Sequence, residues 1–285
     1  MTPYDTRSCT LGEGPLWHPE RQQLFWFDIM GHHLLTQDAN GPRQWQFDEA
    51  VSAAGWVDQD TLLIASASGL WRFDIRSGAR YPIVEMEAEN SVTRSNDGHA
   101  DPWGGFWIGT MGHHVEPKAG AIYCFYCGTL TELYDEISVP NSISFNHDQR
   151  YAYFTDTPTQ IVLRQALNPE QGWPLGDPEL WLYLRAGDLN PDGAVIDAAG
   201  QVWVAQWGTV PVVTYDPDGT FQSAIPVEVR QTTCPAFGGP DFTTLYCTSA
   251  AVNLPAEIKA AQPANGMTLA SEGHDPGQRE CKVPL

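Results

Sequence analysis

The chain has few basic residues. Its 15 lysines and arginines stand against 35 aspartates and glutamates, which gives a formal net charge of -20. A protein of this charge repels the phosphates of nucleic acids and the headgroups of anionic membranes. The acidic residues are spread along the chain rather than gathered in a tail, which is typical of a solubilising surface. We therefore expect neither a nucleic-acid partner nor a membrane partner.

Long apolar segments are also missing. No run of 18 apolar residues occurs, and no apolar segment of the signal-peptide kind lies near residue 1. The expectation is a soluble, cytoplasmic protein. The chain also lacks the G-x-S-x-G nucleophile elbow of serine hydrolases and the glycine-rich loop of phosphate-binding enzymes. These absences argue against both enzyme classes.

Charged residues make up only 18% of the chain, while 26 glycines and 22 prolines imply frequent turns. Long surface helices need more Lys, Glu and Arg, so the composition favours many short strands. Six cysteines are present, but a chain of 285 residues with 42% hydrophobic residues needs no disulfide scaffold. Cys124 and Cys127 form a C-x-x-C within "AIYCFYCG". This segment resembles a strand, where positions three apart face opposite sides, so we expect neither a redox nor a zinc role.

A sequence unit recurs six times along the chain. Five positions after the first residue of each unit comes a polar residue that opens a turn, as in "EGPLWHPERQQLFWFDI". A strand of alternating apolar residues follows each turn. The units start 40, 43, 45, 51 and 44 residues apart, which leaves room for about four short strands in each. The starting residues are Glu13, Ala53, Asn96, Asn141, Asp192 and Ala236.

This repeat predicts an all-β fold, a single six-bladed β-propeller with four-stranded blades over residues 1–285. Residues 1–10 are too few for a blade, so we expect them to pair with C-terminal strands and close the ring. A weak helical pattern occurs only near "PAEIKAAQ", which we interpret as a loop. No linker divides the chain, so a single domain is expected.

The first strand of each propeller blade runs along the central axis, so the six starting residues should converge at one end of the channel. Four of them carry side-chain oxygens, and none is Cys or His, which favours a hard divalent ion. Ala53 and Ala236 would leave space beside it. The alternative to a bound ion is that these polar side chains hydrogen-bond to one another and to trapped water. That alternative suits the asparagines, but Glu13 and Asp192 would repel each other without a cation or proton.

The chain resembles the SMP-30/gluconolactonase/regucalcin-like family of six-bladed propeller lactonases. The resemblance rests on "LGEGPLW", "RSNDG", "DPWGGFWIGTM", "VPNSISF", "NPDGAVIDAAGQVWVA" and "FGGPD". It implies one divalent ion held by Glu13, Asn141 and Asp192, with Asp192 also the general base. It further implies that Arg94 and Asn96 hold the hydroxyls of a small sugar lactone. Calcium is the expected ion, with magnesium, manganese and zinc as alternatives.

The chain departs from the family pattern after "GTM". Some relatives place an acidic substrate contact there, whereas this sequence reads "GHHVEP". His113 and His114 would then line the mouth, with His114 the expected substrate contact, or both would be exposed loop residues. Two other functions stay open: a non-catalytic calcium-binding propeller that serves in protein interactions, and a phosphotriesterase-like enzyme. Arg94 and Asn96 beside the ion favour the lactonase.

Overall fold

A computed structural model describes residues 1–209 and 211–285. Its strands form six antiparallel sheets of four strands each, so the prediction of a six-bladed β-propeller with four-stranded blades is confirmed. Each sheet is one blade, and its first strand lies innermost, beside the central channel.

The strands are numbered in chain order. The N-terminal strand is β1 (Thr2–Asp5). Blade 1 consists of β2 (Gly12–His18), β3 (Gln23–Asp28), β4 (His33–Asp38) and β5 (Gly41–Gln46). Blade 2 consists of β6 (Val51–Asp58), β7 (Thr61–Ser66), β8 (Gly69–Asp74) and β9 (Arg80–Glu85). Blade 3 consists of β10 (Thr93–Ala100), β11 (Phe106–Gly112), β12 (Gly120–Tyr126) and β13 (Thr129–Ile137).

The second half of the ring repeats this plan. Blade 4 consists of β14 (Pro140–Phe145), β15 (Tyr151–Asp156), β16 (Ile161–Ala166) and β17 (Glu179–Tyr183). Blade 5 consists of β18 (Asn190–Ile196), β19 (Val202–Trp207), β20 (Pro211–Tyr215) and β21 (Phe221–Pro226). Blade 6 contains β22 (Thr232–Gly238), β23 (Thr244–Ser249) and β24 (Thr268–Ser271), with β1 as its outermost strand.

The ring is closed by the N-terminal strand. β1 pairs antiparallel with β24, with Thr2 opposite Ala270 and Pro3 opposite Leu269. The predicted pairing of residues 1–10 with a C-terminal strand is therefore confirmed. This arrangement covers an edge of β24 that would otherwise present unpaired backbone groups.

The apolar cores lie between neighbouring blades. β3 is buried along its whole length, because its two faces pack against different blades. Phe25 and Phe27 join a cluster shared with blade 2, while Leu24 and Trp26 join a cluster with Tyr246 of blade 6. Blade 1 is thereby packed against both of its neighbours in the ring.

The structure departs from prediction at "PAEIKAAQ". This segment contains a short helix, α1 (Ala256–Ala261), rather than a loop. Ala, Glu and Lys are strong helix formers, and Pro255 precedes the first turn, where proline is tolerated. Two single 3₁₀ turns also occur, at Thr157–Thr159 and Arg185–Gly187. Among the helices of residues 1–209 and 211–285, none has the length and apolar character needed to cross a membrane.

The C-terminal segment crosses one end of the channel. Gly277 forms a β-bridge with Asp197, and Lys282 forms one with Trp56. Glu280 accepts a hydrogen bond at its backbone oxygen from Trp56 Nε1, and its carboxylate lies 3.3 Å from His99 Nε2. These contacts lie toward the C-terminal ends of inner strands, whereas the predicted site residues lie nearer their beginnings. The segment therefore covers the end of the channel opposite the candidate site.

Candidate functional site

Each inner strand carries a break in its pairing register with the second strand of the blade. A break of this kind inserts extra residues and re-aims the side chains on either side of it. The breaks lie between Glu13 and Leu16, Val51 and Ala53, Ser95 and Gly98, Asn141 and Ser144, Pro191 and Ala194, and Thr232 and Pro235. They decide which residues of each blade face the channel at the same level.

The six predicted starting residues are not all equivalent. Glu13 and Asn141 come just before the break, Asn96 and Asp192 lie within it, and Ala53 and Ala236 follow it. Ala53 consequently belongs to a buried apolar cluster with Leu63 and Ile108. The expectation that Ala53 leaves space beside the ion is therefore wrong, because the register break displaces it into the core.

The four polar starting residues are all buried near the beginnings of their strands: Glu13, Asn96, Asn141 and Asp192. Asn96 Nδ2 donates to Asn141 Oδ1 at 3.0 Å and to the Pro140 backbone oxygen at 2.9 Å. The backbone oxygen of Asp192 accepts a hydrogen bond from Ser142 Oγ. These bonds join blades 3, 4 and 5 and place Asn141 between the substrate-binding candidates and Asp192.

The carboxylates of Glu13 and Asp192 share one low-dielectric environment. Burial and, after it, the negative charge of Asp97 raise the pKa of Glu13 to about 8. Burial also raises the pKa of Asp192 well above its ordinary value, and the charges of Glu13 and Asp97 add to this. The negative charge of Glu13 disfavours ionisation of Asp192, as a like charge nearby does. Each therefore requires a proton or a cation.

Sequence reasoning missed Asp97. Its Oδ2 accepts a hydrogen bond from the backbone N–H of Ile143 at 2.8 Å, and burial raises the pKa of its carboxyl to about 6. The side chain lines an internal cavity with Gly14, Cys234 and Ala236. The signal was present in the sequence, because Asp97 follows Asn96 directly in "RSNDG". A third carboxylate thus adds to the negative charge of the site.

Cys234 brings a thiol to the same level of the channel. Burial raises its pKa well above the ordinary value, and the charges of Asp97, Glu13 and Asp192 raise it further. The sulfur therefore stays protonated at neutral pH and is a poor metal ligand. The six cysteines are all free, in agreement with the expectation that the chain needs no disulfide scaffold.

Arg94 is a buried cation beside these carboxylates. Its Nη1 donates to the Ser95 backbone oxygen at 2.8 Å and to Asn96 Oδ1 at 3.0 Å. Burial lowers its pKa to about 10, against the opposing influence of Glu13, so it remains charged at neutral pH. Within the described residues its hydrogen bonds come from Nη1, so Nε and Nη2 are available to a ligand.

His113 and His114 are both exposed at the turn after β11. Burial lowers the pKa of His113, and the positive charge of Arg94 contributes to this, which places His113 on the Arg94 side of the turn. His114 is held through its backbone N–H, which donates to Glu116 Oε2 at 2.9 Å. The assignment of His114 as a substrate contact stays a prediction.

The donor set fits a divalent oxygen-preferring ion. Glu13, Asp97 and Asp192 carry three negative charges when ionised and Arg94 carries one positive charge, which leaves two negative charges without a counterion. In the part of the chain that the structure describes, no three His, Cys, Asp or Glu side chains are grouped to hold a metal. Two carboxylates, Glu13 and Asp192, with the amide oxygen of Asn141 would be the ligands, and oxygens suit Ca²⁺, Mg²⁺ and Mn²⁺.

We expect divalent-ion affinity to rise as the pH increases from about 5 to about 8. The folded site raises the pKa of Glu13 from 4.5 to about 8. Between those values the metal-free site therefore holds a proton that the ion must displace. The stability of the metal-free fold changes in the opposite direction. An acid whose pKa is raised on folding lowers that stability as the pH rises through this window, and the bound ion offsets the loss.

Calorimetric titration with Ca²⁺ at several pH values, in buffers of different ionisation enthalpy, measures both the affinity and the protons released. Glu13→Gln is the control, because it removes the raised carboxyl; its ion binding should be weaker and less dependent on pH. An affinity in the wild-type protein that does not change across this range would contradict the electrostatic picture of the site.

Most of the chain is similar to proteins of one family. The model of the SMP-30/Gluconolactonase/LRE-like region matches residues 11–251. An L-arabinolactonase of Azospirillum brasilense is 35% identical over 279 residues, which cover 95% of this chain and 91% of that protein. A 6-deoxy-6-sulfogluconolactonase of Pseudomonas putida is 32% identical over 279 residues, covering 96% and 94%. The crystal structure of a calcium-binding protein, regucalcin, from Agrobacterium tumefaciens has a TM-score of 0.96 and 35% identity, covering 99% and 97%.

Proposed function

The chain belongs to the SMP-30/Gluconolactonase/LRE-like family, and from this premise we propose that it is a metal-dependent hydrolase that opens small sugar lactones to aldonic acids. One observation carries the proposal. A buried guanidinium with unused donors, Arg94, is hydrogen-bonded through Asn96 to Asn141 beside the carboxylates of Glu13 and Asp192. The relatives named L-arabinolactonase and 6-deoxy-6-sulfogluconolactonase support the same substrate class.

Asp192 is the proposed general base. Its carboxylate takes a proton from the attacking water and returns it to the ring oxygen as that oxygen leaves. Burial and neighbouring negative charge raise its pKa in the metal-free site, and a bound cation would keep the carboxylate ionised, as a general base must be. When bound by Glu13, Asn141 and Asp192, the divalent ion supplies Lewis acidity toward the lactone carbonyl. Calcium is the expected ion, with magnesium, manganese and zinc as alternatives.

Arg94 and Asn96 are proposed to hold the sugar hydroxyls, with different roles. Arg94 offers Nε and Nη2 as a rigid pair of donors. Both hydrogens of Asn96 Nδ2 are already committed, to the Pro140 oxygen and to Asn141 Oδ1. Asn96 therefore accepts from a hydroxyl through the remaining lone pair of its Oδ1 and does not donate. An asparagine side chain can in general do both, but these two hydrogen bonds leave Asn96 only the accepting role.

A second function has one observation in its favour. The Agrobacterium tumefaciens structure with a TM-score of 0.96 is described as a calcium-binding protein. By this alternative, the present chain would be a calcium-binding propeller without catalysis. Such a protein needs the ligands Glu13, Asn141 and Asp192 but has no use for free guanidinium donors at the site. The open donors of Arg94 therefore favour the lactonase.

A panel of lactones and metals tests the proposal. We expect the wild-type protein to hydrolyse pentonolactones and hexonolactones, to lose activity after chelation, and to regain it with at least one of Ca²⁺, Mg²⁺, Mn²⁺ or Zn²⁺. Proton release in a weakly buffered solution measures each rate, with the spontaneous hydrolysis of each lactone subtracted. Full activity in the chelated protein would refute the metal dependence. Ion binding without turnover of any lactone would favour the calcium-binding alternative.

A further inference from the structure

A continuous series of hydrogen bonds runs across the site from blade 3 to blade 5. Arg94 Nη1 donates to Asn96 Oδ1 at 3.0 Å, and Asn96 Nδ2 donates to Asn141 Oδ1 at 3.0 Å. Asn141 Nδ2 then donates to Thr157 Oγ1 at 2.9 Å, and Thr157 Oγ1 donates to the Pro191 backbone oxygen at 2.8 Å. Pro191 immediately precedes Asp192.

The two ends of this series fix its direction. A guanidinium can only donate and a backbone carbonyl oxygen can only accept. If either amide were turned over, an NH₂ group would face another donor, and a buried donor without an acceptor is costly. The amide oxygen of Asn141 therefore lies on the Asn96 side, where one lone pair accepts from Asn96 and the other is left for an ion.

Thr157 fixes the orientation of the Asn141 amide from the side of its nitrogen, whereas Asn96 contacts its oxygen. Because its own hydroxyl hydrogen is committed to the Pro191 oxygen, Thr157 Oγ1 can only accept from Asn141 Nδ2. The position of Thr157 is itself fixed, since its backbone N–H donates to the Val139 oxygen at 3.0 Å at the start of the Thr157–Thr159 turn. One hydroxyl thus links the side chain of Asn141 to the backbone beside Asp192.

We propose that Thr157 is a positioning residue for the divalent ion. It holds the Asn141 amide with its oxygen toward the ion, and it fixes the distance between Asn141 and the strand that carries Asp192. The proposal rests on the proposed function, which makes Asn141 and Asp192 ligands. It assigns a role to a residue outside the ligand set, on the turn between β15 and β16 of blade 4.

The test uses Thr157→Val, which keeps the shape of the side chain and removes the hydroxyl. Loss of an outer-shell partner of a metal ligand typically weakens metal affinity about 10- to 100-fold, and that loss is expected here. Thr157→Ser keeps a hydroxyl at this position. Its metal affinity should therefore stay within about 3-fold of the wild-type value, a smaller change than the loss expected for Thr157→Val. Thr159→Val is the matched control, because Thr159 Oγ1 donates to the Asp156 oxygen at 2.7 Å in the same turn without reaching the site.

Calorimetric titration of the chelated, dialysed full chain with Ca²⁺, Mg²⁺, Mn²⁺ and Zn²⁺ gives the affinities, and thermal unfolding of the metal-free proteins reports stability separately. Weaker binding by Thr157→Val alone, with kcat recovered at saturating ion, supports the proposal. Equal binding by Thr157→Val and wild type would overturn it, as would an equal loss in Thr159→Val. A wild-type protein that binds none of the four ions would instead refute the metal site of the proposed function.

Discussion

Asp192→Asn is expected to lower kcat/KM for sugar lactones by roughly 10²-fold or more. The substitution removes the proton acceptor and, at the same time, one negative charge from the proposed ligand set. It preserves the size of a side chain that is buried in the channel, so the fold should be retained. Rates are to be measured by proton release at increasing metal concentrations, because saturation with metal isolates the loss of the base from the loss of affinity.

Asp218→Asn is the matched control for that measurement. Asp218 lies on an exposed turn of the same blade, where its Oδ1 accepts from the Thr220 N–H at 3.1 Å. The same substitution there should leave kcat/KM unchanged. If Asp192→Asn kept near wild-type kcat at saturating metal, Asp192 would not be the general base, although it could still be a ligand.

The fold followed from the sequence because a propeller repeats one physical unit. Each blade needs an inner strand, a polar turn and alternating apolar strands, and this order recurs from Glu13 to Ala236 at spacings that fit four strands. The N-terminal strand could be placed as well, since residues 1–10 are too few for a blade but sufficient to cover an edge of β24. The pattern of one strand alone would not identify the fold, but its recurrence in six units predicts the propeller.

The register of the inner strands was not recoverable from the same repeat. Ala53 aligns with Glu13 in the sequence, but it follows the break after Val51 and packs into a core cluster with Leu63. A break in register shifts side chains between channel and core without changing the residue pattern that precedes it. Alignment of starting residues therefore identified four polar side chains that are buried on inner strands, but it misplaced the small side chain of Ala53.

Roles that depend on contact between blades were also invisible in the sequence. Thr157 lies 16 residues after Asn141 and 34 residues before Pro191, yet its hydroxyl bonds to both. Asp97 similarly bonds across a blade boundary to the Ile143 N–H. The pattern of residues along one blade indicates which side chains face the axis, but the approach of neighbouring blades decides which of them meet.

Arg94→Ala is expected to reduce transition-state binding of polyhydroxylated lactones by about 1.5–3 kcal/mol, or about 10- to 150-fold in kcat/KM. The reason is the pair of unused donors, Nε and Nη2, which would hydrogen-bond the hydroxyls of a pentonolactone or hexonolactone. Butyrolactone has no hydroxyls to hold, so its kcat/KM should fall much less. The measurement is kcat/KM for both substrate classes in the wild type and the variant.

The difference in kcat/KM loss between polyhydroxylated lactones and butyrolactone is the decisive result, because removal of a buried cation beside three carboxylates also alters the charge of the site. A purely electrostatic effect on the ion would reduce turnover of both substrate classes equally, whereas the loss of hydroxyl recognition affects only one. Arg76→Ala is the matched control, because its guanidinium is exposed and lies 3.6 Å from Asp60 at the surface of blade 2. An equal loss on both substrates in Arg94→Ala, or a wild-type preference for long-chain acyl lactones, would contradict the sugar-lactonase proposal and favour a different esterase.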